Sequence, residues 1–132
     1  MFSLFRKSKP KILAVDDQAG VRQLIKMTLS TLDCELYFAE DGIEGIKMAN
    51  KKKPDLILLD EMMPKMSGLE VCKTLKKDIK FSDTKIIFLS AKDDENDKEI
   101  AIRAGATDFL RKPFSPAHLK KTIFEYLNNE IV

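Results

Sequence analysis

Leu56-Ile57-Leu58-Leu59-Asp60-Glu61-Met62-Met63-Pro64-Lys65-Met66-Ser67-Gly68 is the stretch whose reading decides the fold. It opens on four consecutive aliphatic residues and stops on an aspartate. Alternating apolar and polar positions would mark a strand with one wet face. An unbroken apolar run instead marks a strand covered on both faces, as in a parallel sheet flanked by helices. At the far end, Ser67-Gly68-Leu69-Glu70 has the S-x-x-E form of a capping box, so a helix is expected to start there.

The same alternation runs outward in both directions. Short apolar runs recur at residues 12–15, 36–39, 86–89 and 109–110. Between them apolar residues fall at helical spacing. Val21, Leu24, Ile25, Thr28, Leu29 and Leu32 form one stripe, with Arg22, Gln23 and Lys26 pointing away from it. Ile43, Ile46 and Ala49 mark a second helix, Leu69, Val71, Cys72 and Leu75 a third. Ile100, Ala101 and Ala104 end a fourth, which Gly105 is placed to terminate. Leu119, Ile123, Phe124 and Leu127 mark a fifth, opened by the cap-and-proline pair Ser115-Pro116. Asp41-Gly42 is a turn signal before the second helix. Five β-α repeats with right-handed crossovers make a doubly wound α/β fold: a parallel sheet of five strands with five helices on its two faces.

A chain of 132 residues suits one domain, with 44% hydrophobic residues for a core and 33% charged residues for its surface. The net charge of +2 lacks the basic excess of a nucleic-acid-binding domain. Cys34 and Cys72 stand in no metal or redox spacing and read as reduced thiols of a cytosolic protein. No apolar run is long enough to span a bilayer. Residues 1–10, with Phe2, Leu4 and Phe5 ahead of Arg6, Lys7 and Lys9, have the wrong order for a secretory signal. They read as a flexible or loosely docked tail, or else as a weak membrane-surface or partner patch, with the domain at 11–130 and Pro10 marking the boundary.

In open parallel sheets ligands bind outside the carboxyl ends of the strands. The residues that follow the expected strands are therefore the informative ones: Asp16-Asp17, Asp60, Ser90 and Lys112-Pro113. Glu40-Asp41, after the second strand, read as solvated loop charges. Asp16 and Asp17 alone could equally cap the first helix. With Asp60 on a neighbouring strand end, three carboxylates converge, and a cation between them relieves their repulsion. Hard oxygen ligands favour Mg²⁺ or Mn²⁺. A carboxylate beside such an ion can attack a phosphoryl group and form an acyl phosphate. Lys112 supplies a positive charge for the phosphoryl oxygens, and Ser90 a hydroxyl.

Asp16-Asp17, the segment Asp60-Glu61-Met62-Met63-Pro64-Lys65-Met66-Ser67-Gly68, Ser90-Ala91 and Lys112-Pro113-Phe114 together resemble the receiver domain of two-component response regulators, over nearly the whole chain. The resemblance implies a flavodoxin-like (βα)5 sheet in the order 2-1-3-4-5, as in stand-alone chemotaxis-type receivers. It implies Asp60 as phosphoacceptor, with Mg²⁺ (Mn²⁺ possible) on Asp16, Asp17, Asp60 and the backbone carbonyl of Met62. It implies Lys112 as the partner of the phosphoryl group, a cis bond between Lys112 and Pro113, and Ser90 and Phe109 as the switch pair. Its partners would be a sensor histidine kinase or phosphotransfer protein, and a downstream protein held on the face of the fourth helix, fifth strand and fifth helix, including Lys120, Lys121 and Tyr126. It implies a cytoplasmic signalling domain that assists only its own phosphorylation and dephosphorylation, as a monomer or a weak phosphorylation-dependent dimer, with no direct nucleic-acid contact. Met1 and the end at Val132 favour a stand-alone protein; the alternatives are a receiver from a hybrid kinase or transcription regulator, or a phosphorelay intermediate.

Several positions depart from the family's commonest pattern. Serine replaces threonine at Ser90, phenylalanine replaces tyrosine at Phe109, and Glu61 is charged where an apolar residue is usual. Met62 and Lys92 sit where the family tunes phosphoryl lifetime, and the polar run 92–99 points to a short or mobile fourth helix. A haloacid-dehalogenase-type hydrolase would need an aspartate two residues after Asp60, where Met62 stands. A flavin module would need a hydroxyl- or glycine-rich loop after the first strand, where Asp16-Asp17-Gln18 stands.

Overall fold

β3 (Leu56–Asp60) is buried along its whole length and lies in the middle of a five-stranded sheet. The computed structural model describes residues 9–91 and 95–127. β3 pairs in parallel with β1 (Lys11–Val15) on one side and β4 (Lys85–Ser90) on the other. β2 (Glu35–Ala39) and β5 (Asp108–Arg111) form the edges, giving the order β2-β1-β3-β4-β5. This is the doubly wound topology expected from the alternating pattern.

The unbroken apolar runs work because each strand feeds two cores. Ile12, Ala14, Leu56, Leu58, Ile87 and Leu89 face one side, packed with α1 (Ala19–Leu29) and α5 (Pro116–Leu127). Leu13, Val15, Ile57, Leu59, Ile86 and Phe88 face the other, with α2 (Gly42–Lys52), α3 (Gly68–Lys76) and α4 (Glu95–Arg103). Successive strand residues point to opposite faces, so neither face can be polar.

The expected caps form. Ser67 accepts from the N–H of Glu70, and the Glu70 carboxylate accepts from the N–H of Ser67, closing the box at α3. Ser115 accepts from the N–H of His118, with Pro116 opening α5. Gly105 takes φ +108° just beyond α4, a left-handed conformation that suits glycine. Asp41 departs from the reading as a solvated loop charge, whereas the Glu40 side chain is exposed as expected. Asp41 caps α2 by accepting from the N–H of Glu44, and the Glu44 carboxylate accepts from the N–H of Glu40, both at 2.8 Å. A short 3-10 turn, Ile79–Phe81, precedes β4, and no apolar pattern in the sequence marks it.

Ordered packing starts ahead of residue 11, since Pro10 is buried and its carbonyl accepts from the N–H of Glu35 at 2.8 Å. The apolar and basic residues of the amino-terminal tail through Lys7, the residue Lys92, and the last residues from 128 onward lie outside the described part. α4 runs over nine residues from Glu95.

Candidate functional site

The carboxyl edge of the sheet carries the acidic cluster. Asp16 directly follows β1, and Asp60 closes β3. Carboxylate oxygens of Asp16, Asp17 and Asp60 all lie within 4.8 Å of one another. Asp16 and Asp60 are buried, whereas Asp17 is exposed. A cavity of about 180 Å³ opens here, walled by Asp17, Asp60, Glu61, Met62, Ser90 and Lys112.

Backbone geometry fixes each member. Asp16 accepts from the N–H of Gln18 at 2.9 Å, and its own N–H donates to Ala39 on the edge strand. Gln18, not either aspartate, is the N-cap residue of α1, and its side chain makes no capping bond. Asp17 instead lines the cavity, while the buried Asp16 holds the Gln18 N–H on Oδ1 and turns Oδ2 to Lys112. The Glu61 N–H donates to Leu89, and the Gly68 N–H donates to the Glu61 carbonyl, which pins the chain on leaving β3. A side chain at Gly68 would place its first carbon 2.2 Å from the Asp60 carbonyl oxygen. Only glycine lets α3 start this close to the acidic strand end.

Lys112 is the counter-charge. Its ammonium lies 2.9 Å from Asp16 Oδ2 and 3.2 Å from Asp60 Oδ1. The Lys112 N–H donates to the Ser90 carbonyl at 2.7 Å, and the following bond to Pro113 is cis. One ammonium does not balance three carboxylates. Burial, reinforced by the Asp16 charge, pushes the Asp60 carboxyl up to about 6 despite the opposing pull of Lys112. Burial alone would lower the Lys112 pKa, but its contacts with Asp16 and Asp60 outweigh that and raise it.

The donor set suits a small hard cation. It consists of oxygens alone, and beyond its ion-pair contact with Lys112 the fully buried Asp16 Oδ2 makes no hydrogen bond. Met62 donates its N–H to Asp60 Oδ1 at 3.4 Å and exposes its side chain at the cavity mouth.

Ser90 and Phe109 stand on adjacent strands. Ser90 is buried, and its hydroxyl donates to the Glu61 carboxylate. Phe109 is half-buried against the α4 side of the core. Tyr126, expected on the partner-binding face, is half-buried and donates its hydroxyl to Asp108 Oδ2 at 2.6 Å. That bond pushes the phenol up to about 12.

Two participants escaped the sequence reading. Arg22 was placed on the outer side of α1, yet its guanidinium donates to the Asp16 carbonyl at 2.6 Å and lies 3.7 Å from Glu40. Its position early in α1 lets a long side chain reach back to the strand end, which helical phase alone does not reveal. The Glu61–Ser90 contact joins two strand ends and requires knowledge of the β3–β4 register.

The family model for the response regulator receiver domain matches residues 12–124. The chain belongs to the response-regulator receiver family. This receiver is 41% identical over 114 residues to the alkaline phosphatase synthesis transcriptional regulatory protein PhoP of Bacillus subtilis, covering 86% of this chain and 46% of that protein. It is 39% identical to the probable transcriptional regulator ycf27 of Porphyridium aerugineum, covering 87% and 47%. It thus spans about half the length of these regulators. Among solved structures, the chemotaxis protein CheY4 of Vibrio cholerae superposes with TM-score 0.86 at 35% identity, over 90% of this chain and 99% of that one. The family is one of signalling domains that work with histidine kinases and downstream effectors, typically phosphorylated and Mg²⁺-binding. Among the described residues no helix is long and apolar enough to cross a membrane.

Proposed function

We propose that Asp60 is the phosphoacceptor of this receiver and takes its phosphoryl group from a phosphohistidine on a sensor kinase or phosphotransfer protein. The observation that carries this reading is the position of Asp60. It closes the central strand, 3.2 Å from an ammonium and within 4.8 Å of two further carboxylates, at a cavity open to solvent.

Transfer forms one bond and breaks one. An oxygen of ionised Asp60 attacks phosphorus, the P–N bond of the phosphohistidine breaks, and its electron pair returns to the imidazole. Mg²⁺, held by Asp16, Asp17, Asp60 and the Met62 carbonyl, would screen the carboxylates and the phosphoryl oxygens from one another. Lys112 stays beside Asp60 and pairs with an oxygen of the acyl phosphate. Ser90 turns its hydroxyl to another oxygen, and Phe109 moves inward behind it. The two positions sit next to the α4-β5-α5 surface, which delivers the signal to a protein partner in the cytoplasm. In this reading the chemistry is the chain's own phosphorylation and its reversal.

Incubation with Mg²⁺ and acetyl phosphate should add one phosphoryl group, seen by intact-mass spectrometry at neutral pH. Asp60→Asn should abolish the adduct. Equal labelling of both proteins would remove Asp60 from this role.

A further inference from the structure

Glu61 is the acidic residue at the site with no task in the scheme above, and its side chain is committed. Its backbone is pinned on both sides, by the Leu89 carbonyl accepting from its N–H and by the Gly68 N–H donating to its carbonyl. From that fixed start the carboxylate reaches across to β4 and accepts the hydroxyl proton of Ser90. β3 and β4 pair Asp60 with Leu89, so Glu61 and Ser90 each lie one residue further on, side by side at the strand ends. A serine hydroxyl has one proton to donate. While Glu61 takes it, Ser90 cannot donate to an oxygen bound at Asp60.

We propose that Glu61 is a positioning residue that competes for the Ser90 hydroxyl, holding it in the resting state and thereby weakening the site's grip on a phosphoryl group. The proposal rests on Asp60 being the phosphoacceptor. An anionic acceptor makes a stronger hydrogen bond than a neutral one, so the hold is substantial. Acquisition of the phosphoryl group exchanges one anionic acceptor for another. The net drive for Ser90 to move is then smaller than it would be from an unheld hydroxyl.

Glu61 also carries negative charge beside the site, and its removal would favour any anion. The test must separate competition for the proton from repulsion. Beryllium fluoride with Mg²⁺ serves as the phosphoryl probe, and its affinity is measured by calorimetry for wild type, Glu61→Leu, Glu61→Gln, Ser90→Ala and the double variant Glu61→Leu/Ser90→Ala.

Glu61→Leu should bind about 3- to 10-fold more tightly, the range expected for freeing one hydrogen bond. Glu61→Gln, which keeps an acceptor but loses the charge, should gain less. In the Ser90→Ala background Glu61→Leu should add little. Amide chemical shifts of Ser90 and Ala91 in ligand-free Glu61→Leu should move toward their beryllium-fluoride-bound values, a readout independent of affinity. Equal gains for Leu and Gln that persist without the Ser90 hydroxyl would show repulsion alone and overturn the proposal. If wild type and variants all fail to bind beryllium fluoride, the assignment of Asp60 falls first and takes this proposal with it.

Discussion

The two ends of the sheet handle charge in opposite ways. At the amino edge Lys76, Lys11 and Asp55, half-buried or exposed, each bond to backbone groups. The Lys76 ammonium sits over three carbonyls, those of Phe81, Ser82 and Thr84, at 2.9, 3.4 and 2.7 Å. Asp55 accepts from the N–H of Lys11, and the Lys11 ammonium donates to the Lys52 carbonyl. At the carboxyl edge three carboxylates share one ammonium, and the buried Asp16 Oδ2 has no hydrogen bond beyond its ion pair with that ammonium. The amino edge is built to hold the chain together. The carboxyl edge keeps an electrostatic debt that a ligand can settle. Substitutions of similar kind should therefore act with opposite sign at the two ends.

The largest effect is expected where the carboxyl edge relies on pure sterics. Gly68→Ala forces a carbon to within 2.2 Å of the Asp60 carbonyl oxygen and 3.0 Å of the Glu61 Cα, all backbone atoms. Relief requires moving α3 or the strand end, at a cost of about 3 kcal/mol or more. Thermal unfolding should show a midpoint lowered by about 10 °C, and acetyl phosphate labelling should fall with it. A variant with wild-type stability would mean that the α3–β3 contact is looser than described. Next comes Lys76→Met, which keeps the aliphatic stem but strands three carbonyls at the amino edge. It should lose about 2 kcal/mol by urea denaturation, with acetyl phosphate labelling unchanged. A neutral result would show that water replaces the ammonium without penalty.

Much of this architecture could be read from the residues because the sheet is buried on both sides. The runs at residues 56–59 and 86–89 have no polar interruption, and they are strands. The reading stopped one residue short at several ends. Lys11, Glu35, Asp60, Lys85, Ser90, Asp108 and Arg111 are polar, yet the ladder includes them. Hydrophobic pattern reports burial, whereas strand length is set by backbone pairing. The turn at Ile79–Phe81 was illegible for the opposite reason, since Ile79 is 86% exposed and breaks any apolar rule. Asp16, Asp17, Asp60 and Lys112 were legible as a cluster because the fold class dictates which strand ends converge. The grasp of Arg22 on the Asp16 carbonyl and of Glu61 on Ser90 was not, because each depends on side-chain reach across elements.

The sign reversal should appear at Asp60. Its folded pKa, about 6, stands above the ordinary 3.8. The native state therefore holds a proton between about pH 4 and 6 that the unfolded chain has released. The stabilising contribution is complete below pH 4 and is lost as pH rises through 6. At pH 7.5 without metal, Asp60→Asn should be more stable than wild type by about 1–2 kcal/mol, the screening at the open cavity reducing the full value of the shift. The difference should shrink toward pH 5 and also on adding Mg²⁺ to the wild type. Chemical denaturation at pH 5 and 7.5, with and without Mg²⁺, measures both trends. A destabilised Asp60→Asn at pH 7.5 would place the carboxyl edge in the same class as the amino edge and end the contrast.

The smallest effect tests whether stability and ligand binding at the carboxyl edge are separable. Ser67 caps α3 next to Gly68, and its hydroxyl accepts from the N–H of Glu70 at 3.2 Å while Glu70 reciprocates at 3.1 Å. Ser67→Ala removes half of that box and should cost about 1 kcal/mol. The anchor of α3 on β3 is a different bond, from the Gly68 N–H to the Glu61 carbonyl at 3.0 Å, and it survives the substitution. Beryllium fluoride affinity should therefore stay within about two-fold of wild type, well inside the 1.4 kcal/mol that a ten-fold change would need. A larger loss of affinity, at that modest loss of stability, would mean that the cap itself holds the acidic strand end in place. The carboxyl edge would then owe its geometry to helix capping as much as to the close approach at Gly68.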